Sequence, residues 1–118
     1  MKTASSKQKG RRFQQWIRNL LIDNLNIDPE DIESRSMGAS GEDLIMAKAA
    51  RTKFPYSIEA KNVERINIWE TWKQALANSK TYEPIVFLTR NRQEPLVVLR
   101  AEHFILLIKQ MQDSDGNT

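Results

Sequence analysis

Two short apolar runs, Pro84–Leu88 and Pro95–Leu99, constrain this chain most; the polar turn Arg90-Asn91-Arg92-Gln93 separates them. A continuous apolar run of this length, opened by proline and closed by polar residues, suits a strand buried on both faces. The pair therefore predicts a hairpin inside a sheet that has helices on both sides. The rest of the chain supplies those helices. Phe13, Trp16, Ile17, Leu20, Leu21 and Leu25 recur at i, i+3, i+4, i+7 and i+8, which predicts a first helix ending near Asn24–Asn26, ahead of Pro29. Asn67 is placed to cap a second helix, with Glu70 as its capping-box partner. Trp69 and Trp72 on that helix, three apart, are expected in the core, with base stacking and a dimer interface as the alternatives. Ala101–Met111, with Phe104, Leu106, Leu107, Ile108 and Met111, predicts a closing helix.

Between the first two helices, Ile32–Ser36 and Glu42–Met46 read as short strands, and Ala47–Lys53 as a basic connector or a single helical turn. Tyr56–Lys61 alternates, with Tyr56, Ile58 and Ala60 on one face and Ser57, Glu59 and Lys61 on the other. The order α-β-β-β-α-β-β-α predicts an α/β fold with a central mixed β-sheet flanked by helices. At 118 residues there is room for one domain. Residues 9–112 are expected to form it, with 1–8 a basic flexible lead-in and 113–118 a polar tail that frays.

Composition narrows the chemistry. The chain has no Cys and one His, which excludes thiol catalysis, disulfides and Cys- or His-based zinc sites, so any metal must rest on carboxylates. His103 is expected to be structural. The net charge is only +3, but the first 18 residues carry Lys2, Lys7, Lys9, Arg11, Arg12 and Arg18 without an acid, a candidate phosphate contact. Arg90 and Arg92 read as solvated turn charges. No apolar run approaches the ~18–20 residues of a membrane span, and MKTASSKQKGRR lacks the apolar stretch of a signal peptide, so a soluble, cytoplasmic protein is expected.

The residues that carry chemistry are Asp43, Glu59 and Lys61. Glu59 and Lys61 project from one strand face, and Asp43 lies on a preceding strand able to pair beside them. Two converging carboxylates plus a backbone carbonyl, that of Ala60, suffice for the protein's share of a Mg²⁺ shell. A lysine beside such a site is suited to placing the attacking water or offsetting charge on a phosphoryl transition state. The small-residue loop Gly38-Ala39-Ser40-Gly41 suits close approach to a ligand or phosphate.

The pattern Gly41-Glu42-Asp43 followed by Phe54-Pro55-Tyr56-Ser57-Ile58-Glu59-Ala60-Lys61 resembles the signature of the PD-(D/E)xK nuclease superfamily. Lys9-Gly10 at the first helix and the small loop before Asp43 are similar to archaeal-type and small phage Holliday-junction resolvases, over roughly Lys9 to Ile108. The resemblance implies a restriction-endonuclease-like core, a Mg²⁺-dependent endonuclease with Mn²⁺ able to substitute, and no organic cofactor. It also implies branched DNA as substrate and a homodimer. Asp43, Glu59 and Ala60 would then hold the metal, Lys61 would assist the nucleophile, and Gln74 would orient water or substrate. Gln14 stands where those resolvases carry a metal-site Glu, which leaves a second metal in question; neighbouring Glu42 is a candidate to compensate. Lys7, Lys9, Arg11, Arg12, Ser40 and Asn62 are the DNA-contact candidates. A general or nicking nuclease, and an inactive nucleic-acid-binding module of the same fold, are the alternatives.

Overall fold

The computed structural model describes residues 4–35 and 41–116. Helix α1 spans Ala4–Leu25 and ends where Asn26 takes a left-handed conformation (φ 57°), a common helix stop. Strands β1 (Ile32–Ser34) and β2 (Leu44–Met46) form an antiparallel hairpin. Helix α2 (Lys48–Lys53) leads into β3 (Tyr56–Asn62). Helix α3 (Ile68–Asn78) crosses to β4 (Glu83–Thr89), β5 (Leu96–Val98) follows, and α4 (Ala101–Gly116) closes the chain.

The protein is an α/β structure with a mixed sheet and flanking helices. β3 and β4 run parallel, from Tyr56 opposite Glu83 to Asn62 opposite Thr89, and β5 returns antiparallel on β4. The β1–β2 hairpin is a second small sheet, joined to β3 where the Asp43 N–H donates to the Ile58 carbonyl at 2.8 Å. The alternation along β3 divides the molecule. Ile58 enters the core with Phe13, Ile17 and Leu21 of α1, Leu44 and Met46 of β2, and Ile85 and Phe87 of β4, while Tyr56 and Ala60 pack at its margin. Ser57 and Glu59 lie on the other face, where α3 covers the sheet and the Ser57 hydroxyl donates to the Asn78 carbonyl at 3.5 Å. The expected cap forms at Asn67, whose Oδ1 accepts from the Glu70 N–H at 3.1 Å.

Several expectations are corrected. The helix begins at Ala4, so residues 4–8 are its first turns and not a flexible lead-in; apolar periodicity cannot register a helix extension made of polar residues. The connector before β3 is a six-residue helix, and the expected polar tail is helical through Gly116. Burial on both faces holds for β4 but not for β5, where Leu96 and Val97 are 55% and 48% exposed because β5 is the sheet's edge strand. Trp69 is 79% exposed instead of lying in the core, because the buried stripe of α3 is carried by Thr71 and Ala75; Trp72 is half-buried. None of the described helices is long and apolar enough to cross a membrane.

These placements separate two substitutions that composition treats alike. Ile58→Ala empties a fully buried site and should cost about 3 kcal/mol of unfolding free energy, whereas Trp69→Ala should cost under ~0.5 kcal/mol. Urea denaturation of the two variants checks this.

Candidate active site

Asp43 sits at the seam between the two sheets. Its N–H bonds to the Ile58 carbonyl at 2.8 Å, and its Oδ2 accepts from the Ala60 N–H at 2.7 Å. Its own carbonyl accepts from the Arg35 N–H at 2.9 Å. The aspartate is thus pinned along the edge of β3, level with Glu59. Residues two apart on a strand turn their main-chain groups to the same side, so the Ala60 carbonyl faces the Asp43 edge together with that of Ile58.

Glu59 is 4% exposed, and its Oε1 is buried without a hydrogen-bond partner. Burial, and next the Asp43 carboxylate, push its carboxyl up to about 7, against weaker opposing pulls from Lys61 and an Asn78 side-chain hydrogen bond. The Asp43 carboxyl is also raised, chiefly by burial, while the Ala60 N–H, Lys61 and Arg35 hold it down. The structure therefore brings Asp43, Glu59 and Lys61 within electrostatic reach of one another, as the spacing predicted. An orphaned buried carboxylate oxygen beside a second carboxylate fits a hard divalent cation, which would satisfy the oxygen and relieve the mutual repulsion. Among the described residues there is no group of three or more carboxylates or histidines able to hold a metal. The fit consequently rests on Asp43, Glu59 and the Ala60 carbonyl.

A groove of about 570 Å³ opens beside this cluster. Lys61 and Gln74 both line it, so the strand lysine and the helix amide expected to work together do share one cleft. Arg65 and Lys73 line it too, and sequence reading missed both. Arg65 lies three residues beyond the end of β3 and Lys73 precedes Gln74 by one residue, so proximity to the predicted site was the available signal. Asn78 was missed as a Glu59 partner because only the packing of α3 on β3 brings them together.

The remaining candidates have other company. Gln14, next to core residue Phe13, is buried (5% exposed). Glu42 is not a spare metal ligand, because its carboxylate is paired with Arg51, whose NH1 also donates to the Tyr56 carbonyl at 2.9 Å. Lys7, Arg11 and Arg12 are exposed on α1. Lys9 pairs with Glu64 at 3.4 Å, and its carbonyl accepts from the Asn62 side chain at 3.3 Å, so Asn62 ties α1 to β3. Ser40 lies outside the described residues. His103 meets the Tyr56 hydroxyl at 2.6 Å, a structural contact. Gly41 has φ +103°, and a Cβ there would lie 3.2 Å from the Arg35 guanidinium, so only glycine suits that position without strain. Comparison of the chain with family models, curated proteins and solved structures finds no match.

The raised Glu59 carboxyl contributes to the pH dependence of the metal-free protein. The ordinary value is 4.5 and the folded value about 7, so the native state binds the extra proton in this window, and stability falls as pH rises through it. Glu59→Gln should abolish that fall and add about 2 kcal/mol at pH 8. Millimolar Mg²⁺ should raise the wild-type melting temperature more at pH 8 than at pH 5, and Asp43→Asn should lose the effect. Thermal melts at both pH values measure each.

Proposed function

We propose that this protein is a metal-dependent endodeoxyribonuclease with a restriction-endonuclease-like core, acting on branched DNA such as a four-way junction. The observation that carries the reading is the pairing of Asp43 with Glu59, the latter holding a buried, unbonded carboxylate oxygen, beside a lysine that opens into a basic groove.

Each part of the site has work to do in phosphodiester hydrolysis. Asp43 is held rigidly by main-chain bonds to β3, so its free oxygen keeps one position. Glu59 presents its buried, unbonded Oε1 beside it. Asp43, Glu59 and the Ala60 carbonyl would hold a divalent cation, which when bound would supply Lewis acidity toward the scissile phosphate and lower the pKa of a water. Lys61 places the attacking water or stabilises charge gathering on the phosphate oxygens, and Gln74 orients water or substrate from the facing helix. Arg65 and Lys73 extend positive charge along the groove, and Lys7, Arg11 and Arg12 add an exposed basic face on α1. These groups recognise backbone and shape, which suits structure selection more than base readout. Paired cuts in a junction need two such sites, hence two copies of the chain.

A single gel series decides among the readings. Four-way junction, nicked duplex, linear duplex and single strand are each incubated with Mg²⁺, Mn²⁺ or EDTA. Symmetric metal-dependent cuts confined to the junction are expected, with at least ~100-fold loss in Asp43→Asn and Lys61→Ala proteins that keep the wild-type circular dichroism. Cuts in every DNA indicate a general nuclease. Tight binding without product indicates a binding module, the reading that the neutral Gln14 favours. Arg65→Ala with Lys73→Ala should weaken binding to all DNAs alike and reduce the slope of log affinity against log salt by about 2.

A further inference from the structure

One row of side chains crosses all three strands of the larger sheet. Lys61 on β3 lies opposite Leu88 on β4, and Leu88 lies opposite Leu96 on β5. Paired residues on neighbouring strands project from the same face, so the lysine and both leucines share the face that α3 covers. Lys61 lines the catalytic groove, whereas the leucines line a second cavity, of about 310 Å³, that the hydrolytic chemistry does not use. Ile66, in the link between β3 and α3, lines both, so the two cavities are neighbours. At ~4.8 Å per strand, Leu96 stands about 10 Å from the lysine along the row.

The lining of this second cavity divides by chemistry. Ile66, Ile68, Leu88 and Leu96 supply its apolar area, and Leu96 and Ile68 are 55% and 46% exposed. Arg90, Gln93 and Glu94 supply polar groups, and none of their side chains makes a hydrogen bond among the described residues. The protein itself ties the walls together. The Glu64 carboxylate, from the link after β3, accepts from the Asn91 N–H at 2.8 Å, and the Thr89 hydroxyl donates to the Gln93 carbonyl at 2.9 Å.

We propose that this cavity receives one unpaired nucleobase of the DNA strand whose phosphate lies in the catalytic groove. It rests on the nuclease reading and deepens it, because such a pocket gives a branch point its advantage: a base already out of the stack enters directly, whereas a paired one must first be unstacked and unpaired. Three observations select a base. Aliphatic walls suit the faces of a heterocycle and disfavour a hydrated phosphate. Glu94 also repels phosphate, while its carboxylate accepts from a ring or amino N–H and the Gln93 amide both donates and accepts, as the edge of a base requires. Arg90, exposed in the turn, is left for the phosphate flanking that base. The cavity also lies within reach, since about 10 Å from the catalytic lysine is no more than about three stacked nucleotides at ~3.4 Å each.

The test is binding by fluorescence anisotropy in EDTA, with the full chain and three four-way junctions that differ at one position beside the branch: an extra unpaired 2-aminopurine nucleotide, an extra abasic nucleotide, or neither. Wild type should bind the first about tenfold more tightly than the other two, the scale of one sequestered base, and the 2-aminopurine emission should rise severalfold as the base leaves its neighbours. Leu96→Gln combined with Ile68→Gln alters no charge and touches only exposed positions. It should keep the wild-type circular dichroism and the affinity for the abasic junction, yet lose both the tenfold preference and the rise in emission. Leu96→Met combined with Ile68→Met should retain both. Leu96→Gln alone is read in the same way should the double variant fail to fold. Equal binding of the three junctions, or a preference that the glutamines leave intact, overturns the pocket and leaves the nuclease reading standing. Failure to bind any of the junctions overturns both.

Discussion

One clip holds the arrangement together: the pair of hydrogen bonds by which Asp43 grips β3. Its N–H joins the β1–β2 hairpin to the three-stranded sheet through Ile58, and its carboxylate is drawn onto the Ala60 N–H. The same residue therefore closes the seam between two sheets and carries half of the acidic pair. Main-chain donors favour the ionised form, yet burial outweighs them, and Asp43 stays raised. A site built this way is strained electrostatically and rigid mechanically, a combination that suits binding a cation better than titrating freely.

Around the clip, two arginines do structural work that their charge alone would not suggest. The Arg35 Nε donates to the Glu42 carbonyl at 2.6 Å and packs against Gly41, shaping the approach to Asp43. Arg51 pairs with the Glu42 carboxylate, bonds the Tyr56 carbonyl and lies 4.3 Å from the centre of the Tyr82 ring. Three elements meet at that one guanidinium, which explains why a basic residue sits largely buried there. Glu42 is consumed in the process, leaving Asp43 and Glu59 as the acids at the site.

Much of the layout was readable because it rests on short-range pattern. The 3.6-residue period from Phe13, the cap at Asn67 and the two-residue alternation from Tyr56 each report a local preference that tertiary packing did not override. Where the reading failed, the missing information was global. Leu96-Val97-Val98 is as apolar as Ile85-Val86-Phe87, yet one is central and the other lies at an edge, and composition does not reveal strand order. Trp69 and Trp72 differ by three positions on one helix, and which of them faces water depends on how α3 is rotated over β3. Lys73 and Asn78 join the site because α3 docks over β3, whereas Arg65 reaches the groove from the link between those two elements.

The amino-acid sequence by itself narrowed the chemistry available: without cysteine and with a single histidine, a metal site has to be built mainly from oxygen ligands, and the spacing of Glu59 and Lys61 places both on one strand face. It also determined the centres of the three long helices and of β3 and β4, since these follow from periodicity and capping, although not where the polar ends of α1 and α4 stop. Tertiary structure decided the rest. It set Asp43 against β3, removed water from one oxygen of Glu59, turned Glu42 away to Arg51 and left Leu96 on the edge strand open to water. Those outcomes depend on which surfaces meet, and burial changes the free energy of a charge far more than any neighbour in sequence does.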